Sequence, residues 1–277
     1  MSTVKENLTR SAELTGSDSA RLDIEVLLGA VLGRSRTWLY TWPEYELSVA
    51  EQQSFDNLLQ RRRHGEPVAH LTGEREFWSL ALKVNASTLI PRPETELLVE
   101  TALALCPGDR LRALDLGTGT GAIALALASE RPGWDIVAAE KSADAVALAE
   151  ENRRALQLDN VRIVQSDWFA QLPAQKFDLI VSNPPYIDAA DPHLEQGDVR
   201  FEPRSALVAE DAGLADIQSI AQCSGEFLAA GGWLMVEHGW QQAASVRAIF
   251  AAAGLKDIES REDFSGWERI TLGRKAN

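Results

Sequence analysis

Three observations predict an α/β fold: a seven-stranded, doubly wound sheet ending in an antiparallel hairpin, preceded by a small helical domain and a β-hairpin linker. Beyond Pro93 the chain alternates strand-like runs with Ala-rich helical stretches; before Arg63 its apolar residues recur at helical spacing; and its last two strand-like runs are separated only by a turn.

Leu22, Val26 and Leu27, then Phe55, Leu58 and Leu59, mark the helical part. Gly33 and the Trp42-Pro43 step interrupt it, and Ser48 followed by Glu51 forms the capping-box pattern that opens a helix. That helix ends in Arg61, Arg62 and Arg63, a basic run expected to be a solvated helix face. Two short extended runs, 74–78 and 80–84, flank Ser79 and predict the hairpin, after which Pro91-Arg92-Pro93 favours a loop. Strands are then expected at 112–116, 136–140, 161–165, 179–182 and 233–237. The runs 258–262 and 268–272, joined at Ser265-Gly266, make the antiparallel pair at one edge. The implied division is residues 1–73 as a helical domain, 74–90 as linker and 91–277 as the α/β domain.

The 277 residues, 45% of them hydrophobic, suffice for a sizeable core. Lys and Arg number 27 against 41 Asp and Glu, a formal charge of −14, which disfavours nonspecific binding to nucleic-acid phosphates. Cys106 and Cys223 lie far apart with no ligand spacing around them, so neither a disulfide framework nor a metal site is indicated. The polar first sixteen residues lack the apolar core of a signal peptide, and no apolar run is long enough to span a bilayer. A cytoplasmic protein without membrane or nucleic-acid partners is expected.

The chemistry gathers at the carboxyl ends of the predicted strands. The first ends in Asp115-Leu116-Gly117-Thr118-Gly119-Thr120-Gly121 and runs straight into a helix. Glycines there let the backbone approach a ligand, and the helix start offers N–H groups to an anion. The spacing satisfies both the dinucleotide pattern and the tighter glycine pattern of methyltransferases. Glu140 closes the second strand, where an acid accepts hydrogen bonds from both ribose hydroxyls in such folds. Asp167 and Trp168 follow the third strand on the same edge, where the indole can stack on adenine or be a half-buried core residue.

Asn183-Pro184-Pro185-Tyr186 directly follows the buried run of the fourth strand. Proline keeps its carbonyl but has no N–H, so a Pro-Pro turn presents acceptors while making few competing demands. A planar –NH2 group has two donors to satisfy; the Asn183 side-chain oxygen and the Pro184 carbonyl can take one each, with the Tyr186 ring on the flat face of the substrate. The nitrogen lone pair then faces an electrophile. His70, His193 and His238 read as structural or capping residues, and no general base stands out.

Together these segments resemble class I S-adenosylmethionine-dependent N-methyltransferases, in which the cofactor supplies the methyl electrophile and the protein aligns donor with acceptor. Arg61–Gly65 with Glu66-Pro67-Val68-Ala69-His70-Leu71-Thr72-Gly73, Glu76-Phe77-Trp78, Leu89-Ile90-Pro91-Arg92-Pro93-Glu94-Thr95-Glu96 and Val199-Arg200-Phe201-Glu202-Pro203 narrow the resemblance, over essentially the full length, to the release-factor glutamine methyltransferases. It implies methyl transfer from S-adenosylmethionine to the side-chain amide nitrogen (N5) of the glutamine in the GGQ motif of peptide chain release factors, by a monomer whose residues 1–73 bind substrate. It also implies cofactor contacts at Gly117, Thr118, Gly119, Thr120, Gly121, Glu140, Trp168 and Asn183. The catalytic, amide-holding positions would be Asn183, Pro184, Pro185 and Tyr186, while Phe77, Pro91 and Arg92 are candidates for a cover over the glutamine. Glu140 stands where Asp is also used in this family. A ribosomal-protein glutamine methyltransferase would share every motif. An adenine-N6 DNA methyltransferase would use the same tetrapeptide on a flipped base, against the chain's acidity. A nicotinamide-dependent enzyme would leave the tetrapeptide unexplained, and a non-catalytic adaptor would need no cofactor.

Overall fold

The structure, a computed structural model, describes residues 2–277. It divides into two units: residues up to Glu74 together with Glu195–Phe201, and Arg75–Leu194 with Glu202–Asn277.

The first unit is helical. Its elements are α1 (Val4–Leu8), α2 (Ala20–Leu32), α3 (Arg36–Thr41), α4 (Val49–Arg63) and α5 (Val68–Thr72). Leu27, Phe55 and Leu59 of the expected set meet Ile24, Leu28 and Leu39 in its core, with Leu58 half-buried against it, whereas Leu22 is exposed and Val26 only half-buried, so the buried face of α2 is turned toward Ile24 and Leu28. Ser48 and Glu51 form the expected capping box on α4. A second capping box, Thr3 with Glu6, opens α1 in a stretch read only as polar.

The basic run at the end of α4 departs from the expected solvated face. Arg61 and Arg63 are exposed, but the Arg62 side chain is 11% accessible and lies between Asp23 at 2.8 Å and Asp198 at 2.9 Å. Arg200 likewise donates to the His64 carbonyl at 3.0 Å. These bonds explain why Glu195–Phe201, remote in sequence, belongs to the helical unit. Helical periodicity cannot foresee a partner more than a hundred residues away.

The second unit opens with the hairpin β1 (Glu74–Phe77) and β2 (Leu80–Lys83), whose turn residues Trp78 and Ser79 both have positive φ. There follow α6 (Glu96–Leu105), β3 (Arg112–Leu116), α7 (Ala122–Glu130), β4 (Asp135–Glu140), α8 (Ala143–Ala155), β5 (Val161–Gln165) and β6 (Phe177–Ser182). A short distorted turn, α9 (Glu210–Gly213), then leads to α10 (Ala215–Phe227), β7 (Leu228–Glu237), α11 (Ala243–Ala252), β8 (Lys256–Glu262) and β9 (Glu268–Arg274). Among the described residues the main sheet has seven strands in the order β5-β4-β3-β6-β7-β9-β8.

β5, β4, β3, β6 and β7 run parallel, while β9 is antiparallel to both β7 and β8. Alternation along the strands feeds two cores: Ala113, Ile136, Ala138, Leu179 and Val181 pack with α6 and α7, whereas Leu114, Val137, Ala139, Ile180 and Val236 pack with α10 and α11. Strand order reverses between β3 and β6, the switch point outside which α/β sheets form a crevice.

Candidate functional site

A cavity of about 570 Å³ opens at that switch point, within the usual range for small-molecule sites. Its wall includes Gly117, Thr118, Gly119 and Thr120 from the turn after β3, Glu140 after β4, Trp168 after β5, and Asn183 and Pro185 after β6.

The glycine turn requires left-handed backbone. Gly117 has φ +70°, and a Cβ there would stand 3.3 Å from the Trp168 ring. Gly121, at φ +88°, is the N-cap of α7, where a Cβ would press to 2.9 Å from Leu125. Gly121 therefore shapes the turn from behind and does not line the cavity. Asp115 anchors the loop, its Oδ2 accepting from the Thr118 hydroxyl at 2.6 Å and from the Ala124 N–H at 3.2 Å. Complete burial pushes its carboxyl up to about 7 despite those bonds.

Asn152 on α8, 1% exposed, pins the same loop to the hairpin. Its Nδ2 donates to the carbonyls of Thr120 at 2.9 Å and Lys83 at 3.0 Å, and its Oδ1 accepts from the Lys83 N–H at 2.7 Å. Sequence reading missed Asn152, because nothing marks a mid-helix Asn as reaching two loops.

Glu140 also does more than its strand-end position implied. Its Oε2 accepts from the Gly119 N–H at 3.0 Å and its Oε1 from the Ser142 N–H at 2.9 Å, so one carboxylate spans the glycine turn and the start of α8. Each oxygen retains capacity for a further donor. Trp168, at φ +48°, is both of the things its position allowed, lining the cavity and packing on the second core. Asp167 is ion-paired with Lys141 at 2.9 Å on the cavity rim. Two lining residues had no sequence signal: Asp216 on α10, whose carboxyl burial raises against the opposing influence of Trp168 and Lys141, and Thr88, 2% exposed, whose hydroxyl has no partner among the described residues.

At the tetrapeptide, Asn183 and Pro185 face the cavity, Pro184 is buried, and Tyr186 packs against the second core. The Asn183 Nδ2 donates to the Thr95 hydroxyl oxygen at 3.1 Å, which leaves Oδ1 as the atom available to a guest donor. The Tyr186 hydroxyl donates to Glu237 Oε1 at 3.4 Å. Burial, with the Glu237 charge adding to it, pushes the phenol well above its ordinary pKa and keeps it neutral. Phe77 lines the cavity from within the first core. Arg92 is engaged by the buried Glu202, with Nη2 at 2.9 and 2.8 Å from the two carboxylate oxygens, and the same carboxylate accepts from the Ile90 N–H. Pro91 and Arg92 are thereby fixed on the wall. His238 is buried between the Gly239 carbonyl and the Thr271 hydroxyl, and His193 is exposed beside Asp191; neither lines the cavity.

Two family models match: the PrmC N-terminal domain over residues 9–73 and the methyltransferase small domain over residues 93–198. A release factor glutamine methyltransferase of Escherichia coli (strain K12) is 56% identical over 263 residues, covering 95% of each chain. That of Pseudomonas aeruginosa (strain PAO1) is 53% identical over 269 residues, covering 97% of this chain and 98% of its own. A crystal structure of a methyltransferase from Pyrococcus furiosus superposes with a TM-score of 0.57 at 16% identity, over 80% of this chain and all of that one, a likeness of fold. Sustained identity across both units, with the glycine turn, the strand-end acid and the Asn-Pro-Pro-Tyr corner on one cavity, places this chain in the release factor glutamine methyltransferase family.

Proposed function

We propose that this enzyme transfers the methyl group of S-adenosylmethionine to the side-chain N5 of the GGQ glutamine in peptide chain release factors, in the cytoplasm and as a monomer. The observation that carries the reading is the shared cavity, in which Asn183 presents a free acceptor opposite the glycine turn and Glu140. Residues 1–73 are assigned to binding the protein substrate, 74–90 to a linker and 91–277 to catalysis. No helix among the described residues is long and apolar enough to cross a membrane.

The cavity residues fit this cofactor. Glu140 keeps an open acceptor site on each oxygen for the ribose hydroxyls, and the unpartnered Thr88 hydroxyl supplies a further polar contact. Gly117, Thr118, Gly119 and Thr120 would form the cradle, shaped from behind by Gly121, with Trp168 and Asn183 beside the nucleoside. When bound, S-adenosylmethionine supplies a sulfonium-activated methyl group.

The protein supplies orientation. A carboxamide nitrogen is a poor nucleophile because its lone pair is delocalised into the carbonyl. Asn183 Oδ1 and the Pro184 carbonyl accept its two N–H bonds, while Pro185 and Tyr186 confine its plane. Holding the lone pair toward the methyl carbon in this way can supply roughly 7–11 kcal/mol of the barrier lowering. The amide becomes a stronger acid as the N–C bond forms, so its proton leaves after transfer and no strong base is needed.

The test incubates the enzyme with methyl-labelled cofactor and, separately, a release factor, ribosomal proteins and DNA, and locates the label by mass spectrometry. Label on the GGQ glutamine is the expected result; label confined to ribosomal protein or DNA overturns the reading.

A further inference from the structure

Glu237 ends β7 and is 3% exposed, beside a tetrapeptide it does not belong to in sequence. The register places Val236 opposite Ser182 of β6, so the next residue of each chain segment, Glu237 and Asn183, emerges beside the other. Oε1 accepts from the Tyr186 hydroxyl at 3.4 Å, and the Thr95 side chain lies close enough to the same carboxyl to favour its charged form. Thr95 is in turn the acceptor for Asn183 Nδ2. One buried carboxyl therefore reaches both ends of the Asn-Pro-Pro-Tyr corner, Tyr186 directly and Asn183 through Thr95. Oε2 has no hydrogen-bond partner among the described residues, an expense in a buried site that calls for a compensating role.

We propose that Glu237 is a positioning residue for methyl transfer, setting which end of the Asn183 carboxamide faces the substrate. This rests on the assignment of the corner to the amide substrate. A hydroxyl has one proton. When Thr95 donates it to the ionised Glu237, only lone pairs remain for Asn183, which must turn Nδ2 toward Thr95 and Oδ1 into the cavity. When Glu237 is neutral and donates to Thr95, the hydroxyl proton is released to Asn183 and the carboxamide is free to invert. An inverted Asn183 offers N–H to a substrate –NH2 group, donor against donor.

The surroundings put this switch near neutrality. Burial first, and Glu94 from the turn before α6, raise the Glu237 carboxyl to about 7; Arg269 on β9, Thr95 and Tyr186 oppose them. Arg92 and Arg269 act on the neighbouring phenol in the same sense, favouring its ionised form against burial. Above neutral pH the carboxylate orients Asn183 correctly, and as pH falls through about 7 that orientation is lost.

Two readouts test this in the full-length enzyme. The Asn183 side-chain amide resonance should titrate near neutrality in the wild type and lose that titration in Glu237→Gln, an NMR signature that needs neither cofactor nor substrate. Turnover of the release factor in Glu237→Gln should fall roughly 10-fold, the size of one coupled network contact, with the acidic limb gone and S-adenosylhomocysteine affinity kept within about twofold. Thr95→Val should cause a similar loss that is not additive with Glu237→Gln, and Thr95→Ser should restore the limb. An Asn183 resonance indifferent to pH, or a Glu237→Gln enzyme with the wild-type rate and profile, overturns the proposal. Wild-type failure to methylate the release factor would instead defeat the substrate assignment, with the NMR titration still deciding the role of Glu237. Should Glu237→Gln not fold, the wild-type titration and the Thr95 pair decide it.

Discussion

Replacing Glu140 with Ala separates what this carboxylate does for a ligand from what it does for its own loops. It accepts from the Gly119 and Ser142 N–H groups, and the remaining lone pairs are the only part left to ribose hydroxyls. A hydrogen bond to a charged acceptor contributes about 1.5–3 kcal/mol. Glu140 is half-buried, so water competes for it, and a total near 2–3 kcal/mol for the ribose pair is the reasonable expectation. That corresponds to roughly 30- to 150-fold weaker cofactor binding. The loop N–H groups become unpaired as well, so hydrogen exchange at Gly119 and Ser142 should accelerate in the unliganded protein. Glu140→Gln is the informative companion: one end of its carboxamide must present N–H to a backbone N–H, so it should recover only part of the loss. Titration calorimetry with S-adenosylhomocysteine measures the affinities. Unchanged binding in Glu140→Ala would refute the ribose role, and full recovery by Glu140→Gln would refute the two-donor geometry.

Asn183→Ala should leave cofactor affinity near wild type but cut methyl transfer by roughly 10²–10³-fold, the usual loss for one oriented contact, as read by single-turnover assay; near-normal turnover would contradict the amide clamp. Gly117→Ala places a Cβ 3.3 Å from Trp168 on a backbone at φ +70°, so both thermal stability and the quench of Trp168 by cofactor should fall, and an undisturbed melting temperature would count against the strained turn. Asp115, raised to about 7 in the fold, keeps a proton that the unfolded chain loses near pH 4, so its contribution to stability declines as pH rises through that window. The stability of Asp115→Asn relative to wild type should therefore improve between pH 5 and 8 in urea titrations; His238, whose burial works in the opposite sense, cancels in the difference. Arg62→Ala leaves the buried Asp23 without its cation and should destabilise the helical unit by about 3 kcal/mol, the scale for breaking a buried pair, whereas a loss below half that would return Arg62 to the solvated face.

Much of this molecule was legible because local rules and tertiary demands agree. The inner parallel strands β3, β4 and β6 are buried on both faces, so their apolar runs stand out from the polar, Gly- and Pro-containing connections. The strands at Arg112–Leu116 and Val161–Gln165 coincide with their expected limits. Others extend further than expected, β7 beginning at Leu228 rather than 233: Leu228 pairs with Phe177, and the Ala-Ala-Gly-Gly stretch before Trp233, with Gly231 at φ +71°, is an irregularity in the register that carries no strand signal. The terminal hairpin was evident, but not that β9 rather than β8 would insert beside β7, since antiparallel pairing has no local sequence marker for which strand lies outermost.

The chain order of residues was enough to put a glycine turn, an acid and an Asn-Pro-Pro-Tyr corner at successive strand ends, and a parallel sheet gathers all such ends on one edge. What surrounds them was decided only by folding. Arg62 left the surface because Asp23 and Asp198 converge on it, Asn152 came to bridge two loops, and Glu237 arrived beneath Tyr186 and Thr95. The physical reason is the reach of each signal: backbone preference and apolar periodicity act within a few residues, whereas a buried polar group takes whichever partner the packed chain brings within 3 Å.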